Sequence, residues 1–167
     1  EYDESISNNG YGIALSYSVW EKALLQTSFE KALRMPESNE LLGNTSESID
    51  PTYDLKPEKS YNINLGFLLG PFNLKQHQLR ADINLFIRDI RDMIMREAEN
   101  TTTGTYGYEN LGKVISRGFD AEIGYSYNKK LFITVDTSLF NARFNLKYDK
   151  NGGEYSYYNN RLRNAPY

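Results

Sequence analysis

Residues that could carry out acid–base, nucleophilic or metal chemistry are few in this chain. Its 167 residues contain no cysteine and one histidine, His77. A serine–histidine–aspartate arrangement needs a positioned imidazole, and acid–base or metal catalysis needs groups that converge on one point. A single histidine beside a predicted turn offers neither. We therefore expect no catalytic residues, no metal site and no cofactor, and we expect His77 to be solvated.

The other polar groups of interest recur at every second position of segments whose remaining residues are apolar. We expect them to share one wet face, and they are Asn62, Asn64, Arg80, Asp82, Asn84, Asp120, Glu122 and Asp136. Such a face could line a passage or hold another domain. Ion pairing between neighbouring strands would produce the same pattern, because a polar wall needs internal charge balance. Both interpretations stay open.

These positions belong to long amphipathic strands, of which the clearest pair lies between residues 57 and 94. The first arm alternates about Tyr61, Ile63, Leu65, Phe67 and Leu69, and the second about Leu79, Ala81, Ile83, Leu85 and Ile87. Strict period-two alternation predicts strands with one apolar face and one polar face. Each run covers nine residues. That length is close to what a tilted strand needs to cross a bilayer and exceeds the usual strand of a soluble sandwich.

The same alternation predicts six long strands in all, the other four lying near residues 11–17, 23–33, 118–127 and 131–139. Asp89 falls where an apolar residue is due. We therefore expect the fourth strand to leave the bilayer there, through a bulge. The alternation also shifts phase beyond Asn141.

The predicted connections alternate between short and long. Short ones fall at 19–22, 70–75 and 128–130, and long ones at 34–56, 95–107 and beyond 145. Membrane barrels combine short periplasmic turns with longer extracellular loops. The pattern predicts an all-β fold: an antiparallel up-and-down meander forming an arc of a transmembrane β-barrel. Pro36 and Gly43 bracket a segment that predicts one short helical turn within the first long loop.

Composition and chain ends agree with this class. The net charge of -3 argues against a nucleic-acid partner, and no basic patch stands out in the sequence. No apolar run approaches the length of a membrane helix, but alternating barrel strands escape hydropathy averages. The fourteen tyrosines and eight phenylalanines include several that flank the short turns. They could form an aromatic girdle or simply follow the strand preference of aromatic residues. Because the chain starts at Glu1 without a signal peptide, we interpret residues 1–167 as one partial β-barrel domain of a larger protein.

Four ordered motifs resemble those of TonB-dependent outer-membrane receptors. Residues 33–43 resemble the family's R-x-P-x-x-x-E-L motif, and residues 50–60 resemble the N-P-x-L-x-P-E-x-S segment that opens its next strand. Residues 89–94 resemble its D-I-x-D-x-I stretch. Residues 109–122 are similar to its N-x-G-x-x-x-x-x-G-x-E strand, with Asp120 where glutamate is usual. The resemblance covers nearly the whole chain.

This resemblance implies a 22-stranded barrel plugged by an N-terminal domain and located in the outer membrane of a Gram-negative bacterium. It implies energised uptake through TonB of a scarce nutrient, most often a ferric siderophore, haem or cobalamin, and no enzymatic activity. Haem receptors of the family usually carry a histidine between the first two motifs, and residues 35–56 contain none. A ferric siderophore or similar iron complex is therefore the favoured ligand. The expected partners are that ligand, the plug, TonB and outer-membrane lipid.

If the long connections are extracellular, the ligand-proximal residues lie within them. The expected individuals are Arg34, Arg96, Tyr106, Tyr108, Tyr157 and Arg161. Arginine and aromatic side chains suit anionic iron complexes through charge-assisted hydrogen bonds and stacking. A different class stays open: a soluble or surface-displayed β-sheet adhesin, whose apolar face would pack on a second layer. Such a module should be monodisperse without detergent.

Overall fold

A six-stranded antiparallel sheet organises the chain. The computed structural model describes residues 9–96, 102–110, 112–148 and 152–162. The long strands are β1 (Tyr11–Trp20), β2 (Ala23–Arg34), β3 (Glu58–Leu74), β4 (His77–Arg91), β7 (Lys113–Tyr127) and β8 (Leu131–Phe144). They pair in chain order. The predicted meander is therefore confirmed, although each strand is longer than its alternating run.

The turns between β1 and β2 and between β3 and β4 are shorter than predicted. The 70–75 connection is wrong, because β3 continues to Leu74 and only Lys75 and Gln76 turn. Gly70 and Pro71 instead form an irregularity inside β3, where the pairing with β4 skips from Leu69 to Phe72. Proline has no amide proton for a sheet ladder, so it fits where the pairing is interrupted.

Strand register sorts the side chains onto two faces. On one face, Leu65, Leu85, Phe119 and Leu139 form a continuous apolar row across β3, β4, β7 and β8. Outer-face residues remain open to the surroundings: Ile63 is 50% exposed, Leu85 44%, Ile123 51% and Val135 60%. We call this the outer face and the opposite one the inner face. A sheet with so much exposed apolar surface needs an apolar medium or a covering layer.

The bulge predicted at Asp89 is absent. Asp89 pairs in unbroken register with Tyr61 of β3 and Ile115 of β7, and Asn141 of β8 likewise pairs regularly with Arg117. What changes near these residues is the chemistry of the two faces. The outer face becomes polar and the inner face becomes apolar, with Phe140 and Ala142 on β8. The strands therefore continue past the end of the apolar band without a break in pairing.

The long connections form a folded layer beyond the sheet. The predicted helical turn is confirmed as α1 (Ser38–Leu42), and a 3₁₀ turn follows at Thr45–Glu47. Within the second connection, β5 (Ile94–Arg96) and β6 (Tyr108–Asn110) pair as a ribbon that the polar sequence did not predict. Residues 97–101 and 149–151 of the predicted long connections lie outside the described residues.

Apolar burial is concentrated in and near this layer. Ile49, Leu55, Ile94 and Val114 are all buried, and Val114 is completely inaccessible. Among the described residues, no helix has the length and apolar character needed to cross a membrane.

Candidate functional site

The inner face carries a band of polar side chains in register. Asp82, Glu122 and Asp136 lie directly opposite one another across β4, β7 and β8, and line a shallow concavity of about 530 Å³. Arg80 forms an ion pair with Glu122, and its stem crosses the surface of Gly124. A Cβ at Gly124 would lie 2.6 Å from the Arg80 Nε. The missing side chain at Gly124 is therefore what lets Arg80 reach the carboxylate.

Neighbouring inner-face residues are linked by amide and hydroxyl hydrogen bonds. Asn64 Nδ2 donates to Ser28 Oγ at 3.0 Å, and Asn62 Nδ2 donates to Glu30 Oε2 at 3.2 Å. Ser138 Oγ donates to Asp120 Oδ1 at 2.6 Å. All eight residues predicted to share a wet face, Asn62, Asn64, Arg80, Asp82, Asn84, Asp120, Glu122 and Asp136, do lie on this one face. The assignment of the face to a barrel lumen stays a prediction.

Two aromatic residues of the inner face were missed by the sequence analysis. Phe86 and Phe140 flank Gly118, to which both are paired in register. A Cβ at Gly118 would come within 2.7 Å of the Phe86 ring and 2.5 Å of the Phe140 Cβ. These rings therefore close over the glycine. The only sequence signal was a glycine at an inner position of an otherwise regular strand.

Arg34, one of the predicted ligand-proximal residues, is held by two carboxylates at the C-terminal end of β2, where the first long loop begins. Its guanidinium donates to both Glu40 oxygens at 3.1–3.2 Å and to Glu58 Oε1 at 2.7 Å. Glu58 Oε1 also accepts the backbone N–H of Ile94 at 2.7 Å. Glu40 accepts the Glu37 N–H and completes a capping box at α1. Arg34 lies beyond the apolar band. The hydrogen bond to Glu58 raises the pKa of the Arg34 guanidinium, and Glu40 raises it further, whereas burial acts to lower it.

Asn110 joins the two long loops. Its Oδ1 accepts the Lys56 N–H at 2.7 Å, and its Nδ2 donates to the carbonyls of Lys56 at 2.9 Å and Asp92 at 2.7 Å. The backbone of Tyr106 forms a short parallel bridge with the first long loop: its N–H donates to the Ser48 carbonyl, and its carbonyl accepts the Asp50 N–H. The first and second long loops therefore form one hydrogen-bonded unit, which we call the loop layer.

The other predicted ligand-proximal residues fall in separate places. Arg96 stacks on the Tyr106 ring at 3.8 Å from the centroid, and the N–H of Tyr108 bonds to Thr52 Oγ1 within the loop layer. Tyr157 packs on Phe144 in the return segment after β8, and burial raises its pKa to about 12. Arg161 pairs in register with Arg143 at the edge of β8. Arg96, Tyr106 and Tyr108 therefore lie together in the loop layer, whereas Tyr157 and Arg161 lie in the segment after β8.

We looked for a cluster of side chains that could bind a metal ion in the part of the chain that the structure describes. No group of three or more histidine, cysteine, aspartate or glutamate residues there is placed to hold a metal ion. His77 is exposed, with Nδ1 2.7 Å from the Tyr125 hydroxyl, in a cluster with the Tyr127 ring on the outer face.

These features define a class: an open antiparallel arc with an apolar outer face, a polar inner face and a folded layer of long loops at one end. A family profile described as TonB dependent receptor-like, beta-barrel, matches residues 2–167. The chain therefore belongs to the TonB-dependent receptors, as part of their β-barrel. This family is one of receptors and transporters, not of enzymes.

A solved structure with the same architecture is the FrpB iron transporter from Neisseria meningitidis, F3-3 variant. Its TM-score is 0.64 at 20% identity, and the match covers 82% of this chain and 20% of that one. The likeness supports the fold, and this chain spans about a fifth of that transporter. Comparison with curated protein sequences finds no significant match.

The family motifs have clear structural roles in this chain. Arg34 and Glu40, from the first motif, form the ion pair beside α1, and Glu58 of the second motif joins it. Asn110 of the N-x-G motif connects the two loops. Glu40, Glu58 and Asn110 were not among the predicted site residues, although the motif resemblance contained all three.

Proposed function

We propose that this chain is a barrel segment of an outer-membrane receptor that imports a scarce nutrient, with a ferric siderophore or similar iron complex as its cargo. The complete receptor would lie in the outer membrane of a Gram-negative bacterium. It would contain an N-terminal plug domain and use TonB for energy. Residues 1–167 would form one partial barrel domain within it.

The observation that supports this proposal most strongly is the segregation of the two faces. On β4 the outer face is apolar from Leu79 to Ile87, close to the length that a tilted strand needs to cross a bilayer, whereas carboxylates, amides and Arg80 occupy the inner face. In a membrane barrel, lipid-facing apolar residues alternate with polar lumen residues. The eight polar residues of the inner face would accordingly line the lumen.

The choice of cargo has weaker and separate support. The structural neighbour is described as an iron transporter. The loop layer exposes Arg96, whose guanidinium lies over the Tyr106 ring. Such a cation beside an aromatic surface suits a bulky anionic complex, because it offers both charge and stacking. Arg34 differs, since two carboxylates already hold it, and we expect its effect on cargo to be indirect.

An alanine series in the complete receptor tests the proposal. The positions are Arg34, Arg96, Tyr106, Tyr108, Tyr157 and Arg161. Binding and uptake of a ferric siderophore would be measured in iron-starved cells, with a strain lacking TonB as the control for energised transport. We expect one or two substitutions, Arg96→Ala among them, to weaken binding strongly and the others to be near neutral.

The short turns provide the matched control. Substitutions such as Lys129→Ala should leave cargo binding unchanged, because these turns lie at the opposite end of the sheet from the loop layer. Loss of binding from changes in the short turns, with silent changes in the long loops, would reverse the proposed orientation. A complete protein that is monodisperse without detergent would instead indicate the adhesin class.

A further inference from the structure

The outer face changes from apolar to basic at the loop-layer end. Beyond the apolar rows, six basic side chains occupy outer-face positions of five neighbouring strands, with Asp89 as the one acidic residue among those positions. We call them the cationic belt, and they are Lys31, Lys59, Arg91, Lys113, Arg117 and Arg143. The chain as a whole carries a net charge of -3. The belt therefore reflects local segregation of charge and not a basic chain.

Strand register brings like charges together within the belt. Lys59, Arg91 and Lys113 lie directly opposite one another on β3, β4 and β7. Like charges in directly opposed positions destabilise a sheet. Asp89 Oδ2 offsets part of this repulsion, at 3.1 Å from Arg91 and 3.3 Å from Lys113, and Asp92 lies 3.3 Å from Lys59. Two carboxylates, those of Asp89 and Asp92, therefore form ion pairs with three cations.

The β7–β8 end of the belt has less internal compensation. Within the described ranges, no carboxylate forms an ion pair with Arg117 or Arg143, and Arg143 donates instead to the Asn159 carbonyl at 2.7 Å. Two adjacent concavities of about 310 and 470 Å³ share Arg117 in their walls. The second is also lined by Phe119 and Leu139, at the top of the apolar rows.

We propose that the cationic belt binds the phosphate groups of an anionic membrane lipid in the leaflet at the loop-layer end, with Arg117 and Arg143 at its centre. The charge pattern favours a headgroup with more than one phosphate, because Lys31, Arg117 and Arg143 are separated outer-face cations that form no ion pair with a carboxylate of the described residues. Arginine contacts phosphate through paired hydrogen bonds. The apolar rows directly beneath would contact the acyl chains of the same lipid. The proposal depends on membrane insertion of the sheet and is independent of the cargo.

The test uses the complete receptor in nanodiscs of phosphatidylcholine, with or without added bisphosphorylated lipid A. Bound lipid is measured by native mass spectrometry, and binding by titration of lipid A. Each basic residue near an anionic surface contributes about a fivefold factor in affinity, so Arg117→Gln with Arg143→Gln should weaken lipid A binding about thirtyfold. Lys129→Gln with Lys130→Gln removes the same charge at the short-turn end and should leave it unchanged.

Three outcomes would overturn the proposal: no preference of the wild-type receptor for lipid A over phosphatidylcholine, equal loss in both double variants, or equal binding of free inorganic phosphate. Arg117→Lys with Arg143→Lys retains the charge and should keep most of the binding, which separates charge loss from misfolding. Binding of a ferric siderophore, measured in the same discs, reports separately on the proposed import function.

Discussion

Arg34 illustrates how a single side chain can fix the start of a long loop. Its guanidinium links the end of β2 to α1 through Glu40 and to the start of β3 through Glu58. Glu58 then holds the backbone of Ile94 at the next loop. Arg34 therefore connects α1 and the start of β3 directly, and the segment at Ile94 through Glu58. The arrangement explains why the motif contains arginine, whose planar fork can satisfy two carboxylates at once.

Substitution of Arg34 is predicted to loosen the loop layer. Arg34→Gln leaves the buried Glu40 and the largely buried Glu58 without their cation. Hydrogen bonds to charged groups contribute about 1.5–3 kcal/mol each before exposure reduces the value. Since Arg34 is half-buried, we expect a loss near the lower end of that range. Hydrogen exchange of the Ile94 amide in the complete receptor should accelerate.

Arg96→Gln is the matched control, because Arg96 stacks on an aromatic ring and is exposed. That change should leave the Ile94 amide as protected as in the wild type. Unchanged protection in Arg34→Gln would show that the ion pairs do not hold the loop.

Tyr157 should confer alkaline sensitivity on the segment after β8. Burial raises its pKa to about 12, whereas an unfolded tyrosine titrates near 10. The folded state therefore holds the proton more tightly. Its contribution to stability is complete below about pH 10 and is lost as the pH rises through about 12. Limited proteolysis of residues 152–162 should increase over this pH window.

Tyr157→Phe supplies the comparison for this titration. Phenylalanine keeps the packing on Phe144 but cannot ionise, so its protease sensitivity should vary less between about pH 10 and 12. Identical pH profiles for the two proteins would show that another group controls this segment.

At the scale of strands, the two faces of β4 should respond differently to charge. Leu85 lies on the outer face among apolar neighbours, and Asn84 lies on the inner face between Gly66 and Asp120. Arginine on a lipid-facing position near the bilayer midplane costs about 2–4 kcal/mol. We therefore predict that Leu85→Arg destabilises the complete barrel by that amount, as measured by unfolding in lipid vesicles.

Asn84→Arg introduces the same side chain one residue away and should cost far less, since carboxylates surround it on the inner face. Equal costs at the two positions would contradict the assignment of outer and inner faces. The pair also controls for any general effect of arginine on β4.

Sequence patterns predicted the strands well within the apolar band and poorly beyond it. Alternation located the six strands because the outer face is apolar and the inner face polar within this band. Past Asp89 and Asn141 the outer face becomes polar and the inner face apolar, so the pattern changed although the register did not. The ribbon of β5 and β6 has three residues in each strand, too few for a period to be recognised.

Side-chain contacts between distant segments could not be predicted from the sequence either. Nothing in local composition indicated that Asn110 would reach Lys56, or that Arg34 would be shared by Glu40 and Glu58. These contacts depend on the way the strands bring separate loops to one end of the sheet. The polar inner face was predictable because each of its members lies at an alternate position of a single strand.

At the scale of the molecule, we propose that the sheet is one arc of a membrane barrel. Lipid would contact the apolar rows and the cationic belt, water and a plug would contact the inner face, and cargo would meet the loop layer. Among the described residues, no strand pairs with the free edge of β1 or with that of β8 before Ala142, where the return segment begins to pair. This agrees with an arc, because six strands are fewer than the roughly eight needed to close a barrel. Neighbouring strands of the complete receptor would pair with both edges.

The most direct test of this arrangement is a cysteine scan along β4 in the membrane-embedded receptor. The chain has no cysteine of its own, so single substitutions can be spin-labelled without background from this segment. Collision rates with oxygen and with a water-soluble nickel complex would then be measured. The scanned positions are Ala81, Asp82, Ile83, Asn84 and Leu85.

We predict that accessibility alternates with a period of two residues. Labels at 81, 83 and 85 should collide preferentially with oxygen dissolved in lipid, and labels at 82 and 84 with the nickel complex in water. Preferential collision with the nickel complex at all five positions would contradict a membrane-embedded arc and leave the sheet as part of a water-soluble module.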